Sequence, residues 1–254
     1  MSEAPTSRRK PDAAAALGVA AVASLAVTVW LGLWVTPPDA FQHNLVRLLY
    51  IHPPIAWVTY LALGVTALAS ALFLWPRTRS AFWDRLAGAS AEIGVVFGAL
   101  TLITGSIWGR PTWGVWWTWD ARLTSTALLE LLYIGYLALR QVPGAMPGRG
   151  KRSAIAALIA FADVPVDHFS VLWWRTLHQA PSVLNADLNP TIHGSMAWTL
   201  MLGFVAFTLV YGWLLVIRYR IAAAQDASED AALAAAVAER RLEGGVAGIA
   251  GAEA

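Results

Sequence analysis

Five histidines and no cysteine set the metal chemistry open to this chain of 254 residues. Without thiols it cannot carry an iron–sulfur cluster, a disulfide framework or a C-x-x-C-H attachment site, which leaves neutral imidazole as the natural ligand for a metal. Two histidines have a setting that suits ligation. His52 stands in Arg47-Leu48-Leu49-Tyr50-Ile51-His52-Pro53-Pro54, where the prolines fix its approach to the next apolar segment, and His178 follows Trp173-Trp174-Arg175-Thr176-Leu177. A lone histidine is more often structural or solvated, so spacing alone leaves both readings open for each.

Tryptophan supplies the second feature. Of 14 tryptophans, Trp108, Trp113, Trp116, Trp117 and Trp119 fall within twelve residues, in a stretch from Trp108 to Asp120 that is broken by Gly109, Pro111 and Gly114. If a turn or two of helix starts at Trp113, then Trp113, Trp116 and Trp117 share a face by i, i+3 and i+4 spacing and form an aromatic shelf for a large planar ligand. Ordinary interfacial tryptophans are the alternative. Arginine is the third feature: Arg47, Arg110, Arg122 and Arg175 lie near these groups and could pair with carboxylates or simply close helix ends near lipid headgroups. A flat, iron-bearing ligand with carboxylate arms suits all three features, and haem is such a ligand.

The elements that must position these groups are membrane helices. Hydrophobic residues make up 57% of the chain and charged residues only 13%, with a mean hydropathy of +0.55, which is far from the balance of a soluble domain. The net charge of +2 is small, so no broad basic face suggests nucleic acid. Crossing a hydrocarbon layer of about 30 Å takes roughly 20 apolar residues in a helix. Six segments qualify: about Ala13–Val35, Pro53–Trp75, Leu86–Trp108, Ala121–Leu139, Ser153–Leu172 and Gly194–Ile217. The first follows Arg8, Arg9 and Lys10, is too long for a signal-peptide core, and is expected to be retained. In the fifth, Asp163 and Pro165 predict a kink.

Lysines and arginines settle an orientation. Fourteen fall at the termini and on the loops of one side and four on the other, so the positive-inside rule predicts that both termini are cytoplasmic. Three connections then face outward, Thr36–His52, Gly109–Asp120 and Trp173–His193. All five histidines lie in or beside them, and so do eleven of the tryptophans. The expected fold is therefore an all-α integral membrane protein with six transmembrane helices and a tryptophan-rich interfacial segment in the second periplasmic loop. Its parts are a cytoplasmic segment 1–12, a membrane domain 13–217 and a cytoplasmic tail 218–254. The tail is expected to be an alanine-rich helix from Ile221 to Leu242 with a loose, glycine-containing end. Glu130 and Asp163 are ionisable groups at membrane depth, read here as structural.

The run from Trp108 to Asp120, ending in Trp-x-Trp-Asp, resembles the haem-handling family of cytochrome c biogenesis proteins, whose mark is this motif. Arg47 to His52, Asp120-Ala121-Arg122-Leu123-Thr124-Ser125 and Phe169 to Gln179 are similar to its haem exporter C branch, and together these stretches span most of the membrane domain. The resemblance implies a site in which His52 and His178 are the axial ligands of non-covalent haem b. Trp108, Trp113, Trp116, Trp117, Trp119 and Asp120 would line it, with Arg47 and Arg122 beside it. It also implies a location in the bacterial inner membrane and presentation of haem to the periplasmic chaperone CcmE. The implied partners are the ATPase CcmA and the membrane subunits CcmB and CcmD, so ATP hydrolysis would reside in a partner and this chain is not expected to be an enzyme. His43, His168 and His193 match no ligand position of that family. Two rivals come from other classes. An electron-transfer cytochrome b would take its paired histidines from within helices, and a membrane glycosyltransferase would need acidic metal ligands in its first outer loop, which offers only Asp39.

Overall fold

The computed structural model describes residues 12–145, 147–179 and 192–250, with side chains described as far as Arg241. Among these residues the structure is helical without strands. Seven α-helices follow in order: α1 (Ala13–Trp30), α2 (His52–Leu74), α3 (Ala81–Trp113), α4 (Ala121–Gln141), α5 (Gly148–Phe161), α6 (Asp163–Trp173) and α7 (Gly194–Ala250). A π-helical turn, Leu31–Val35, prolongs α1, and a 3-10 segment, Asn44–Tyr50, leads into α2.

Among the described residues, five stretches are long and apolar enough to cross a membrane: Ala13–Val35, Asn44–Leu74, Ala81–Trp113, Gly148–Trp173 and Gly194–Arg241. The last three helices of the expected set therefore need restating. At 21 residues α4 would reach about 31 Å, enough to span, but it carries Arg122, Glu130 and Arg140 and is not among the five. The fifth expected segment is two helices that meet at Ala162, and Pro165 lies in the first turn of α6, where its missing N–H costs nothing. The expected separation of a tail helix is not found. Helix α7 runs unbroken through Arg218 and on to Ala250, past the glycines, because alanine sustains helix well outside an apolar layer. Its 57 residues make it about 85 Å long. The basic residues Arg8, Arg9 and Lys10 and most of the Trp173–His193 connection lie outside the described residues.

Helices α2 and α3 pack most extensively, with α4 and α5 on one flank and α1 and α7 on the other. Small residues allow the close approach, as expected where helix association depends on fit rather than on water exclusion. A methyl group added at Gly94 of α3 would press on Leu63 of α2 at 2.9 Å. Beside it, Ser90 Oγ donates to the Ala62 carbonyl at 2.7 Å and meets Tyr211 Oη of α7 at 2.8 Å. One core joins Leu63, Ala91, Leu129, Tyr133, Tyr136, Ala157 and Ala160, and a second joins Ile55, Val58, Ala62, Ile93, Phe97 and Tyr211. At the end of the bundle away from His52, Arg140 donates to both oxygens of Asp84 at 2.9 Å and ties α4 to α3. The outward faces expose Val22, Leu68, Ile103, Leu131 and Ile159, large apolar side chains that a water-soluble domain would bury.

Candidate functional site

Local signals fix where α3 ends and α4 begins, and this sets the geometry of the tryptophan-rich stretch. Gly114, at φ 81, is the left-handed residue that stops α3 after Trp113. Asp120 caps α4 by accepting from the Leu123 amide at 2.9 Å. Residues 114–120 between them are not helical, so the expected helical shelf of Trp113, Trp116 and Trp117 does not form. Trp108 and Trp113 instead both belong to α3. Trp117 and Trp119 stack edge to face at 5.5 Å, Trp119 is 80% exposed and Trp116 is 60% exposed.

A cavity of about 710 Å³ opens between α2, α3, α4, α6 and α7. His52, His178, Trp108, Trp113 and Arg122 line it; Trp116, Trp117, Trp119, Asp120 and Arg47 do not. From His52 it continues along α2 to Leu63, eleven residues further on, and so descends about 16 Å, roughly half of a bilayer core. Most of its wall is apolar, with Thr59, Tyr60, Thr101, Asp167, His168 and Glu130 as the chief polar interruptions. Glu130 lies directly against Gly98 of α3, in space that any side chain at that position would take.

His52 is the first residue of α2, and Pro53 and Pro54 occupy the turn where a missing amide hydrogen is tolerated. Its ring is held from α3. Thr104 donates its hydroxyl proton to the Leu100 carbonyl at 2.7 Å, so at 2.9 Å from His52 it accepts a hydrogen bond from Nδ1–H. That tautomer leaves Nε2 with a free lone pair, the state a metal ligand needs. Trp108 packs edge-on to the imidazole at 5.8 Å, and Gly105 leaves room for it, since a Cβ there would sit 3.1 Å from Cε1. The Trp108 indole in turn donates to Gln42 Oε1 at 2.9 Å.

His178 reaches the same cavity from the segment after α6, tilted against Trp113 at 6.2 Å. Its Nδ1 is 3.1 Å from the Gln179 carbonyl, which can only accept, so here too Nε2 carries the lone pair. Burial holds its pKa below the ordinary histidine value, which favours the neutral ring.

The four arginines separate clearly. Arg47 is engaged by Asn44 Oδ1 and the Gly32 carbonyl, and Arg110 donates to the Gly114 carbonyl at 2.7 Å; neither lines the cavity. Arg175 is exposed. Arg122 does line it. Its Nη1 donates to the Asp167 carbonyl at 2.7 Å and to Tyr60 Oη at 3.0 Å, and lies 3.7 Å from the Asp167 carboxylate. Asp167 is 1% exposed, accepts from Tyr60 at 2.5 Å, and has Ser125 and Thr126 hydroxyls at 2.8 and 2.9 Å. Among the described residues Arg122 Nε is buried and unpartnered, so the Nε edge of its guanidinium has no protein acceptor. Such an edge suits a carboxylate from a ligand.

Tyr60, Thr104, Asp167 and His168 were not singled out as site residues from sequence. Asp167 had one available signal, a charge inside an apolar stretch. His43 and His193 do not line the cavity, whereas His168 does, packed edge-on to Tyr60 at 5.9 Å.

Two lone-pair imidazoles, aromatic walls and a half-free guanidinium fit the chemistry of a porphyrin with iron at its centre and carboxylates at its edge. The fold and cavity thus define a multi-pass helical membrane protein with a histidine-bearing pocket at one end of the bundle. Comparison with known proteins narrows this class. The family model described as CcmC, Heme exporter protein C, matches residues 6–234, and the chain belongs to that family. Among its relatives, Heme exporter protein C of Haemophilus influenzae is 38% identical over 193 residues, 76% of this chain and 77% of that protein. Heme exporter protein C of Escherichia coli K12 is 35% identical over 206 residues, 80% of this chain and 81% of that protein. The protein of the same name from Bradyrhizobium diazoefficiens is 37% identical over 196 residues, 77% of this chain and 73% of that protein.

Proposed function

We propose that this chain holds haem b non-covalently for cytochrome c maturation, with His52 and His178 as the two axial ligands. The observation that carries the reading is that both imidazoles, each with its Nδ1 engaged in a hydrogen bond, open onto one apolar cavity walled by Trp108 and Trp113. Family membership supports it, since the relatives are named as heme exporter proteins. On this reading the histidine end of the bundle faces the periplasm of a bacterial inner membrane and both termini are cytoplasmic. Arg122 takes a propionate on its free edge, while Asp167 and Tyr60 hold its other edge still. The exposed Trp116 and Trp119 then belong to the surface presented to the haem chaperone CcmE rather than to the cavity wall. CcmA, CcmB and CcmD complete the assembly, and ATP hydrolysis belongs to CcmA. This chain performs no bond-making of its own: it binds, orients and releases.

The test is the absorption spectrum of the detergent-purified, haem-loaded chain. His52→Ala and His178→Ala are each expected to lose the spectrum of iron with two imidazole ligands, and His43→Ala to keep it. Retention of that spectrum by both cavity variants would refute the assignment.

A further inference from the structure

The two histidines are held very differently. His52 is fixed between two packed helices, by the Thr104 hydrogen bond and the edge-on Trp108 ring, both from α3. His178 follows α6 on an irregular segment, Trp174–Gln179, whose other hydrogen bonds are short-range: the Trp174 amide to Ser170, the Thr176 hydroxyl to the His178 carbonyl, and the His178 ring to Gln179. Among the described residues, one hydrogen bond joins residues 175–179 to another element. The Leu177 amide donates to Asp120 Oδ2 at 2.9 Å. The second oxygen of the same carboxylate accepts from the Leu123 amide at 2.9 Å and caps α4. Asp120 lies outside the cavity wall, so its carboxylate spends one oxygen on its own helix and the other on the residue before His178.

We infer that Asp120 is a positioning residue for the second axial ligand: its carboxylate straps the His178 segment to the start of α4 and so sets whether that imidazole reaches the iron. This rests on the bis-histidine reading above and assigns Asp120 a place beside the site, not in contact with haem. The bond is charge-assisted and single, which makes it both effective and breakable. A strap of this kind puts control of the exchangeable ligand in the tryptophan-rich loop, whose exposed indoles sit one to four residues before Asp120.

Asp120→Ser and Asp120→Asn separate strap from cap. Serine is an equally good N-cap but has one oxygen and cannot serve both amides; asparagine keeps one oxygen and turns an N–H pair where Leu177 needs an acceptor. In the full chain, purified with haem, both variants are expected to bind haem through His52 but to show a five-coordinate, high-spin component. Transfer of haem to a scavenger protein should be about 10- to 100-fold faster, the usual effect of losing a ligand's outer partner. Added imidazole should restore the low-spin spectrum in both, as it should in His178→Ala. Leu177→Pro, which deletes the donor instead, should reproduce the effect and add little to Asp120→Asn. An unchanged spectrum and transfer rate in Asp120→Asn overturns the strap, and so does a loss of haem that imidazole cannot restore. A wild-type spectrum in His178→Ala would instead remove the reading beneath it, and the strap with it.

Discussion

Thr104→Val is the sharpest probe of the geometry around His52, because it changes one hydroxyl and almost no volume. Thr104 accepts the Nδ1–H of His52 at 2.9 Å, and its own proton is committed to Leu100 at 2.7 Å. Valine removes the acceptor and leaves His52 two poor choices. The ring either keeps a partly buried N–H without a partner, at a cost of about 1–3 kcal/mol, or moves its proton to Nε2 and takes the lone pair out of the cavity. Both outcomes weaken ligation. At 1.4 kcal/mol per factor of ten, the expected loss of haem affinity is about 5- to 140-fold, toward the lower end because Thr104 and His52 are only partly buried. The measurement is the rate of haem transfer from the purified chain to a scavenger protein, for wild type, Thr104→Val and Thr104→Ser. Serine keeps the hydroxyl and should stay close to wild type. Transfer from the valine variant within twofold of wild type would show that Thr104 does not set the His52 tautomer.

Two further outcomes are expected. Asp167→Asn leaves Arg122 without its carboxylate in a buried setting, and breaking a buried pair from one side costs about 3–5 kcal/mol; thermal unfolding in detergent should show a clear drop, and an unchanged midpoint would remove Asp167 from the joint between α4 and α6. For pH, the sign follows from burial, which lowers the pKa of His178 below the value of about 6.5 for a free histidine. As pH falls through that value the unfolded or undocked segment takes a proton first, so the stabilisation from docking neutral His178 is present above about 6.5 and is lost progressively below it. Haem retention should therefore be flat from neutral pH down to about 6.5 and fall only below it. A spectrophotometric titration with a midpoint above that value would contradict a buried, neutral His178.

Much of this was legible in the sequence, and the misses have identifiable causes. Apolar runs located α1 and α2 to within a few residues because length and hydropathy are local properties. Helix α3 outran its expected end at Trp108 because Gly109 and Pro111 read as breaks, whereas the backbone turns only at Gly114, whose left-handed conformation is the real terminator. Arg218 marks a change from apolar to alanine-rich composition, not a helix end, and α7 passes straight through it. His52 and His178 stood out by their neighbours. Thr104 and Asp167 did not, because their meaning lies in partners 52 and 45 positions away, Thr104 with His52 and Asp167 with Arg122, and a single sequence has no record of such pairings.

The same long-range pairings explain why one arginine of four is suited to a ligand. A largely buried guanidinium needs a partner, and Asp167 supplies one from α6, together with Tyr60 from α2. Neutralisation from one edge alone leaves the group's position fixed while its buried Nε donor has no partner among the described residues. Had the pairing engaged both edges, Arg122 would be a structural staple and nothing more, as Arg140 is with Asp84, where both terminal nitrogens are occupied. The difference between the two arginines of α4 is thus a difference in how many of their donors the protein itself consumes. On the proposed reading, that is also the difference between holding a helix and holding a propionate.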